Sequence, residues 1–305
     1  MIIQQLLPPD PHPFSAVDAL HDDVSFIGMF LIVGAVAFYF LLFRPAFRPN
    51  LDAMRFAGRS AARIGVVGAL LRLVNIGMSV SDAMLQKQLT LTAALTSRTP
   101  AMVDEVATLI ALVAFASAAF AWRDGVRRWA VAAIATLVIA LQGLATTKLS
   151  RVVNPIHVFA ASMWIGTLFV MVVAGISTAL SGAFATSDRG AAVAAMVGRF
   201  TTLALVSTGV LVLSGLTTAW THLGSIGALW TSSYGQTLLV KLSLVAVVFL
   251  LGGYNNWRVK PTLGTQDAGI RMKRWASYEI AIAAVVLVVT AVLVNLPAPA
   301  QRLAR

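Results

Sequence analysis

Imidazole and thioether are the only soft donors in the chain, which has 4 histidines, 10 methionines and no cysteine. Without thiolate there is no disulfide framework, no CxxC motif and no thiol nucleophile, so a soft cation has to be met by His and Met. Neutral imidazole is the commonest metal ligand and also serves haem iron, while thioethers select Cu(I) among common metals. Other chemistries lack their motifs: there is no GxxxxGK[ST] phosphate loop, no HExxH and no GxSxG. ATP-driven transport and ordinary hydrolysis are both unsupported, so an enzyme here would need a haem to supply the reaction.

The elements that position these donors are apolar helices. Of 305 residues, 58% are hydrophobic and only 11% charged, with a mean hydropathy of +0.83, which places the chain among integral membrane proteins. A span needs roughly 20 mostly apolar residues, and eight windows qualify: about 24–43, 61–81, 103–122, 129–147, 155–180, 200–220, 235–257 and 275–296. The sequence therefore predicts an all-α polytopic bundle of eight transmembrane helices in a lipid bilayer, with no soluble domain beside it. It divides into a short N-terminal segment (1–23), a first four-helix half (24–147) and a second (148–305). Gly58-Arg59 enters the second span as Gly198-Arg199 enters the sixth, and His21 precedes the first as His157 opens the fifth, which hints at a parallel duplication. The first twenty residues lack a basic n-region, so 1–23 reads as a mature segment rather than a cleaved signal.

Loop charge sets the expected orientation. Fifteen Lys and Arg fall in the loops after odd-numbered spans, from Arg44 to Arg274, against six in the opposite set. The positive-inside rule then puts both termini outside, on the periplasmic or extracellular face. The net charge of +11 is thereby a topological signal and not one for nucleic acid. With this orientation His12, His21, His157 and His222 all come to the outer side. Met29, Met78, Met84, Met102 and Met163 map to the outer half, although each also reads as ordinary core filler.

The stretch RVVNPIHVFAASMWIGTLF (151–169) sets His157 at the mouth of the fifth span, with Pro155 expected in its first turn. Helical spacing stacks His157, Ala161, Trp164, Leu168 and Met171 on one stripe, with Met163 about 120° away. Either the imidazole faces a neighbouring helix as a ligand, or His157 and Trp164 sit in the interfacial belt. Two cations fall inside spans. Lys241 is shallow enough to snorkel outward, whereas Arg72, near the middle of its span, is expected to face the interior and hold an anion or carboxylate, or simply to brace helices. Asp82, beside Met78 and Met84, could join a metal site or cap its helix. Glu279 is the one acid clearly within a span, too few for a mid-membrane carboxylate relay.

These residues resemble the membrane domain of the copper-resistance D (CopD/PcoD-like) family over about 155–261. The resemblance rests on H-x6-W-x-G at His157, Trp164 and Gly166, on G-R-F at Gly198 to Phe200, and on L-W-x-x-x-Y-G-x-x-L-L-x-K-L from Leu229 to Leu242, which contains Tyr234 and Lys241. Asn255 and Asn256, and His21 followed by GAVAFYFLLFRP (34–45), extend it. Thr167 stands where members often carry a second glycine. The resemblance implies an eight-span inner-membrane protein in copper homeostasis or resistance, moving copper across the membrane with a separate periplasmic CopC-like copper-binding protein as donor or acceptor. An outward copper site of His157, His222 and His21 with Met163, Met78 and Met84 is the resulting expectation, supported by Trp164, Lys241, Arg72, Tyr234 and Asp82.

Arg72 and the Lys241 segment also resemble, more faintly, the HemJ-like protoporphyrinogen oxidases, where a His and a Lys on different helices serve a haem-linked site. The rival expectation is a b-type haem oxidoreductase with His157 and His222 on one iron. A third reading is a structural or partner-binding membrane protein without metal.

Overall fold

A computed structural model describes residues 16–44, 50–97, 102–121, 125–142, 149–181 and 184–299; His12 lies outside them. The described residues form helices and no named strand. Eight long elements follow in order: α1 (Ala16–Ala37, continued by a π-helical turn Phe38–Phe43), α2 (Leu51–Lys87), α3 (Met102–Ala119) and α4 (Val126–Gln142). Then come α5 (Leu149–Ala161, running on through Ser177–Leu180), α6 (Thr186–Leu223), α7 (Ser233–Tyr254, continued by a π turn Asn255–Val259) and α8 (Gln266–Val294). Seven of them are long and apolar enough to cross a membrane. The remaining one, α4, shows 17 described residues where the fourth span is expected. The protein is a polytopic helical membrane bundle.

Local chemistry explains where helices begin and end. Asn50, Ser232 and Thr265 sit extended before α2, α7 and α8, and each side-chain oxygen accepts from a backbone N–H of the first turn. Gly224, at φ 67°, stops α6 in the left-handed region that glycine enters freely. Because α5 starts at Leu149, Pro155 lies in its interior and not, as expected, in its first turn. Its missing N–H therefore leaves one carbonyl of the preceding turn without its helical partner.

Two helices form the centre. Both α1 and α5 are largely enclosed, whereas α2, α6 and α7 turn most of their surface outward. Leu205, Leu213, Leu250 and Val113 are exposed apolar side chains of the kind that face lipid. The two central helices cross at Gly34 and Gly166, where a Cβ on either would overlap the other helix's backbone. Lipid gives apolar helices no hydrophobic reason to associate, so close backbone approach at small residues supplies the packing. Around the crossing α1 packs on α2, α5 and α8, and α5 on α6. Tyr39, Phe115 and Trp129 close the core of the first half, with Tyr39 stacked on Trp129 at 4.2 Å.

The α5 stripe expected from regular α-helix is interrupted. Turns at Ser162–Gly166 and Met171–Ile176 are π-helical, and each inserted residue shifts the register of the helix beyond it. Trp164, Leu168 and Met171 are buried nevertheless, because α5 is surrounded on nearly every side.

Both ends of the bundle can be told apart by side-chain bonds. Asp22 on α1 accepts from Asn295 just after α8 (2.9 Å), so the first helix begins where the last one ends; this is the terminal end. At the other, arginine-rich end, Arg59 donates to the Ala121 carbonyl (3.0 Å) and Arg189 to Gln266 (3.0 Å).

Candidate metal-handling site

The described histidines lie toward the terminal end, each held by a helix neighbour through one ring nitrogen. His157 on α5 meets Ser214 Oγ of α6 through Nδ1 at 3.0 Å. Ser214 Oγ already donates its proton to the Val210 carbonyl at 2.6 Å, so toward His157 it can only accept. The ring must therefore carry its proton on Nδ1, which leaves the Nε2 lone pair for a ligand. The same inference holds for His222, whose Nδ1 lies 2.8 Å from the Thr218 carbonyl, a group that only accepts. His21 on α1 is the mirror case: its Nε2 meets the Asn75 carbonyl (3.2 Å) and Ser79 Oγ (3.1 Å) of α2, and Ser79 donates onward to Asn75. There the lone pair is on Nδ1. Fixing one nitrogen as a donor is how metal-binding imidazoles are oriented.

Three tiers of side chains follow one another along the facing sides of α5, α6 and α7. At the rim, His222 on the last turn of α6 stacks on Tyr234 in the first turn of α7, with centroids 5.8 Å apart. Below it lie His157, eight residues into α5, Ser214, nine residues before the end of α6, and Lys241, eight residues into α7. At 1.5 Å per residue all three are about 12 Å from their helix ends. Lys241 is within electrostatic range of His157 and makes no hydrogen bond among the described residues. Deeper still, Trp164 of α5 stacks on Phe249 of α7 at 5.3 Å and 19°. Ser214, the partner of His157, lies eight residues before His222 on α6, so the two imidazoles are offset by about two helical turns along the bundle.

The other expected ligands fall elsewhere. Met163 packs against the apolar core. Met78, Asp82 and Met84 are half-buried on the outer part of α2, with Met78 next to Ser79, the partner of His21. The expected single set is thus divided between a first-half group on α1 and α2 and a second-half group on α5 to α7. No three His, Cys, Asp or Glu come together as a metal cage among the described residues.

Arg72 lies near the middle of its own span, Arg55–Leu85, as expected. Its Nη2 reaches both carboxylate oxygens of Asp104, at 2.7 and 2.9 Å, and its Nε lies 3.5 Å from Thr108 Oγ1. Asp104 is the third residue of α3, so Arg72 is level with the terminal end of that helix, and the remainder of α2 projects beyond. The expected carboxylate partner exists, but Asp104 reads in the sequence only as an acid in a first turn. Ser79 and Ser214 were equally hidden, since hydroxyls within apolar helices ordinarily bond to their own backbone.

At the arginine-rich end, Glu279 of α8 is buried, 4% exposed, and accepts from the amide of Asn255, itself 6% exposed. Lys260 bonds to Thr201 Oγ1 of α6 (3.1 Å) and to Asn256 (3.4 Å).

Residues 194–293, which cover most of α6, all of α7 and all but the last residue of α8, match the family model described as Copper resistance protein D. Over 146 residues the chain is 32% identical to the copper transport protein CutJ of Bacillus subtilis (strain 168). That stretch is 48% of this chain and 25% of the relative, so the chain spans a small part of that protein's length. No solved structure matches. His222, Tyr234, Lys241, Ser214 and Glu279 fall inside the matched segment; His157 lies outside it.

Proposed function

We propose that this chain, which matches the Copper resistance protein D model over residues 194–293, is a copper-handling membrane protein that moves copper across the membrane along the facing sides of α5, α6 and α7. The carrying observation is the proton placement at His157: Ser214 accepts from Nδ1, so Nε2 is offered as a lone pair about 12 Å below the terminal end. By loop charge that end faces the periplasm of an inner-membrane protein, where a CopC-like carrier would deliver or collect the ion. Copper is met first by His222 beside Tyr234 and passed by ligand exchange to His157. The Trp164–Phe249 stack stands below as a barrier. Single imidazole stations suit a cargo that must leave again, where a closed cage would retain it. His21, with Met78 close by on α2, offers a second entry.

The halves 24–147 and 148–305 are read as a duplicated four-helix unit. In support, α1 and α5 are both central, both contain π turns, and each bonds a histidine to a serine of the next helix.

One observation favours the haem reading: the Lys241 ammonium near His157 would suit a propionate. A visible spectrum of the purified protein separates the two, since a Soret band belongs to haem alone. For the copper reading, His157→Ala should insert normally and lose copper-dependent accumulation in cells. Accumulation unchanged from wild type overturns the proposal.

A further inference from the structure

Beneath the Trp164–Phe249 stack lies a polar pair that the copper reading does not use. Glu279 is the sole buried carboxylate among the described residues, and no cation pairs with it there. Asn255, at the start of the π turn of α7, donates Nδ2 to Glu279 Oε1. Its own Oδ1 is buried without any hydrogen-bond partner. A buried amide oxygen left unmatched is costly, and so is an ionised carboxylate in lipid with no counter-charge.

One proton removes both costs. A neutral carboxyl can donate to the amide oxygen while accepting from the amide nitrogen, so that each group is matched in both directions. Turning the amide over does not change the conclusion, because it would set Oδ1 against Oε1, and two acceptors tolerate each other only with a hydrogen between them. In the first orientation a carboxyl proton supplies the donor that Oδ1 lacks, and in the second it is the hydrogen that two facing acceptors require. We infer that Glu279 and Asn255 form an intramembrane proton-binding site, a carboxyl–amide pair lying between α7 and α8 on the arginine-rich side of the Trp164–Phe249 stack.

The surroundings fit a neutral resting pair. On α7 the nearest charged groups are Lys260, engaged by Thr201 and Asn256, and Arg258; Tyr254 packs on Trp275 of α8. Within α8 itself, Tyr278 stacks on Trp275, while Lys273 and Arg274 lie more than one turn toward the arginine-rich end. From α6 comes Arg199, and from α1 and the residue that caps it come Tyr39, stacked on Trp129, and Arg44. The enclosed part of α5, from Trp164 onward, carries no titratable group. Releasing the proton would leave a fixed negative charge directly below the aromatic barrier, on the route a cation would take. The assignment does not rest on what that cation is.

Infrared difference spectroscopy of the purified full chain in lipid, titrated across neutral pH, tests the inference. Expected is a protonated-carboxyl C=O stretch near neutral pH that shifts in D2O, disappears in Glu279→Gln and moves to higher frequency in Asn255→Leu, where the acid loses its partner. Glu279→Gln keeps an amide-to-amide pair and so preserves the packing. A spectrum with only carboxylate bands at neutral pH, a C=O band that survives Glu279→Gln, or one unmoved by Asn255→Leu would each overturn it.

Discussion

Ser214 touches no copper in the proposed route, yet its removal should weaken copper binding. Ser214→Ala deletes the acceptor 3.0 Å from His157 Nδ1, at a position only 7% exposed, where water is a poor substitute. The ring then either keeps an unmatched Nδ1–H or turns to bond elsewhere, surrendering the aimed Nε2 lone pair. Loss of such an orienting partner typically costs 10–100-fold in metal affinity, or about 1.4–2.8 kcal/mol at 1.4 kcal/mol per decade. The assay is anaerobic competition for Cu(I) between purified protein and a chelator of known affinity. Ser214→Thr, which retains the hydroxyl, should recover most of the loss. Ser207→Ala, a buried serine two turns away on the same helix, should change little. If Ser214→Ala binds copper as tightly as wild type while His157→Ala does not, the inferred proton placement is wrong, and with it the reason for assigning His157 as a station.

The ion pair of Arg72 and Asp104 should behave as a coupled unit. With side chains 13% and 26% exposed, losing one partner should cost about 2–3 kcal/mol, near the low end for a buried pair. The double variant Arg72→Met, Asp104→Leu should recover most of it, as read by unfolding in mixed micelles; losses that simply add would exclude coupling. Gly166→Ala should destabilise by about 1–3 kcal/mol or more through overpacking against the Phe30 carbonyl. Gly253→Ala, with open space around it, should be neutral or slightly stabilising in the same thermal assay.

Hydropathy made the bundle legible, because span length and apolar content are properties of single segments. The clustering of histidines toward one end was legible too, since depth follows from position in a span. What escaped was everything set by a neighbouring helix. Arg72 falls near the middle of its span, as expected, but its carboxylate partner Asp104 belongs to α3. The hydroxyl acceptors that orient His157 and His21 belong to other helices, and serine in an apolar run reads as packing. Met163 packs, partly buried, against the core, and helical position gives an angle but not the neighbour at that angle. Pro155 was misplaced by six residues of additional helix before it. The π turns have no plain sequence signature, so the stripe drawn through α5 was broken without warning. Glu279 was noticed as a lone acid; its role emerged only when Asn255 was found with an unmatched oxygen.

The contact of Gly34 with Gly166 also limits how the molecule can move. Two backbones that touch without intervening side chains cannot slide along one another, because neighbouring residues with Cβ atoms would collide on either side. They can still swivel, as crossed rods do about a shared point. Any rearrangement that opens one mouth of the bundle and shuts the other must therefore pass through a fulcrum at this crossing, with the tiered histidines and the Glu279 pair carried at opposite ends of the lever.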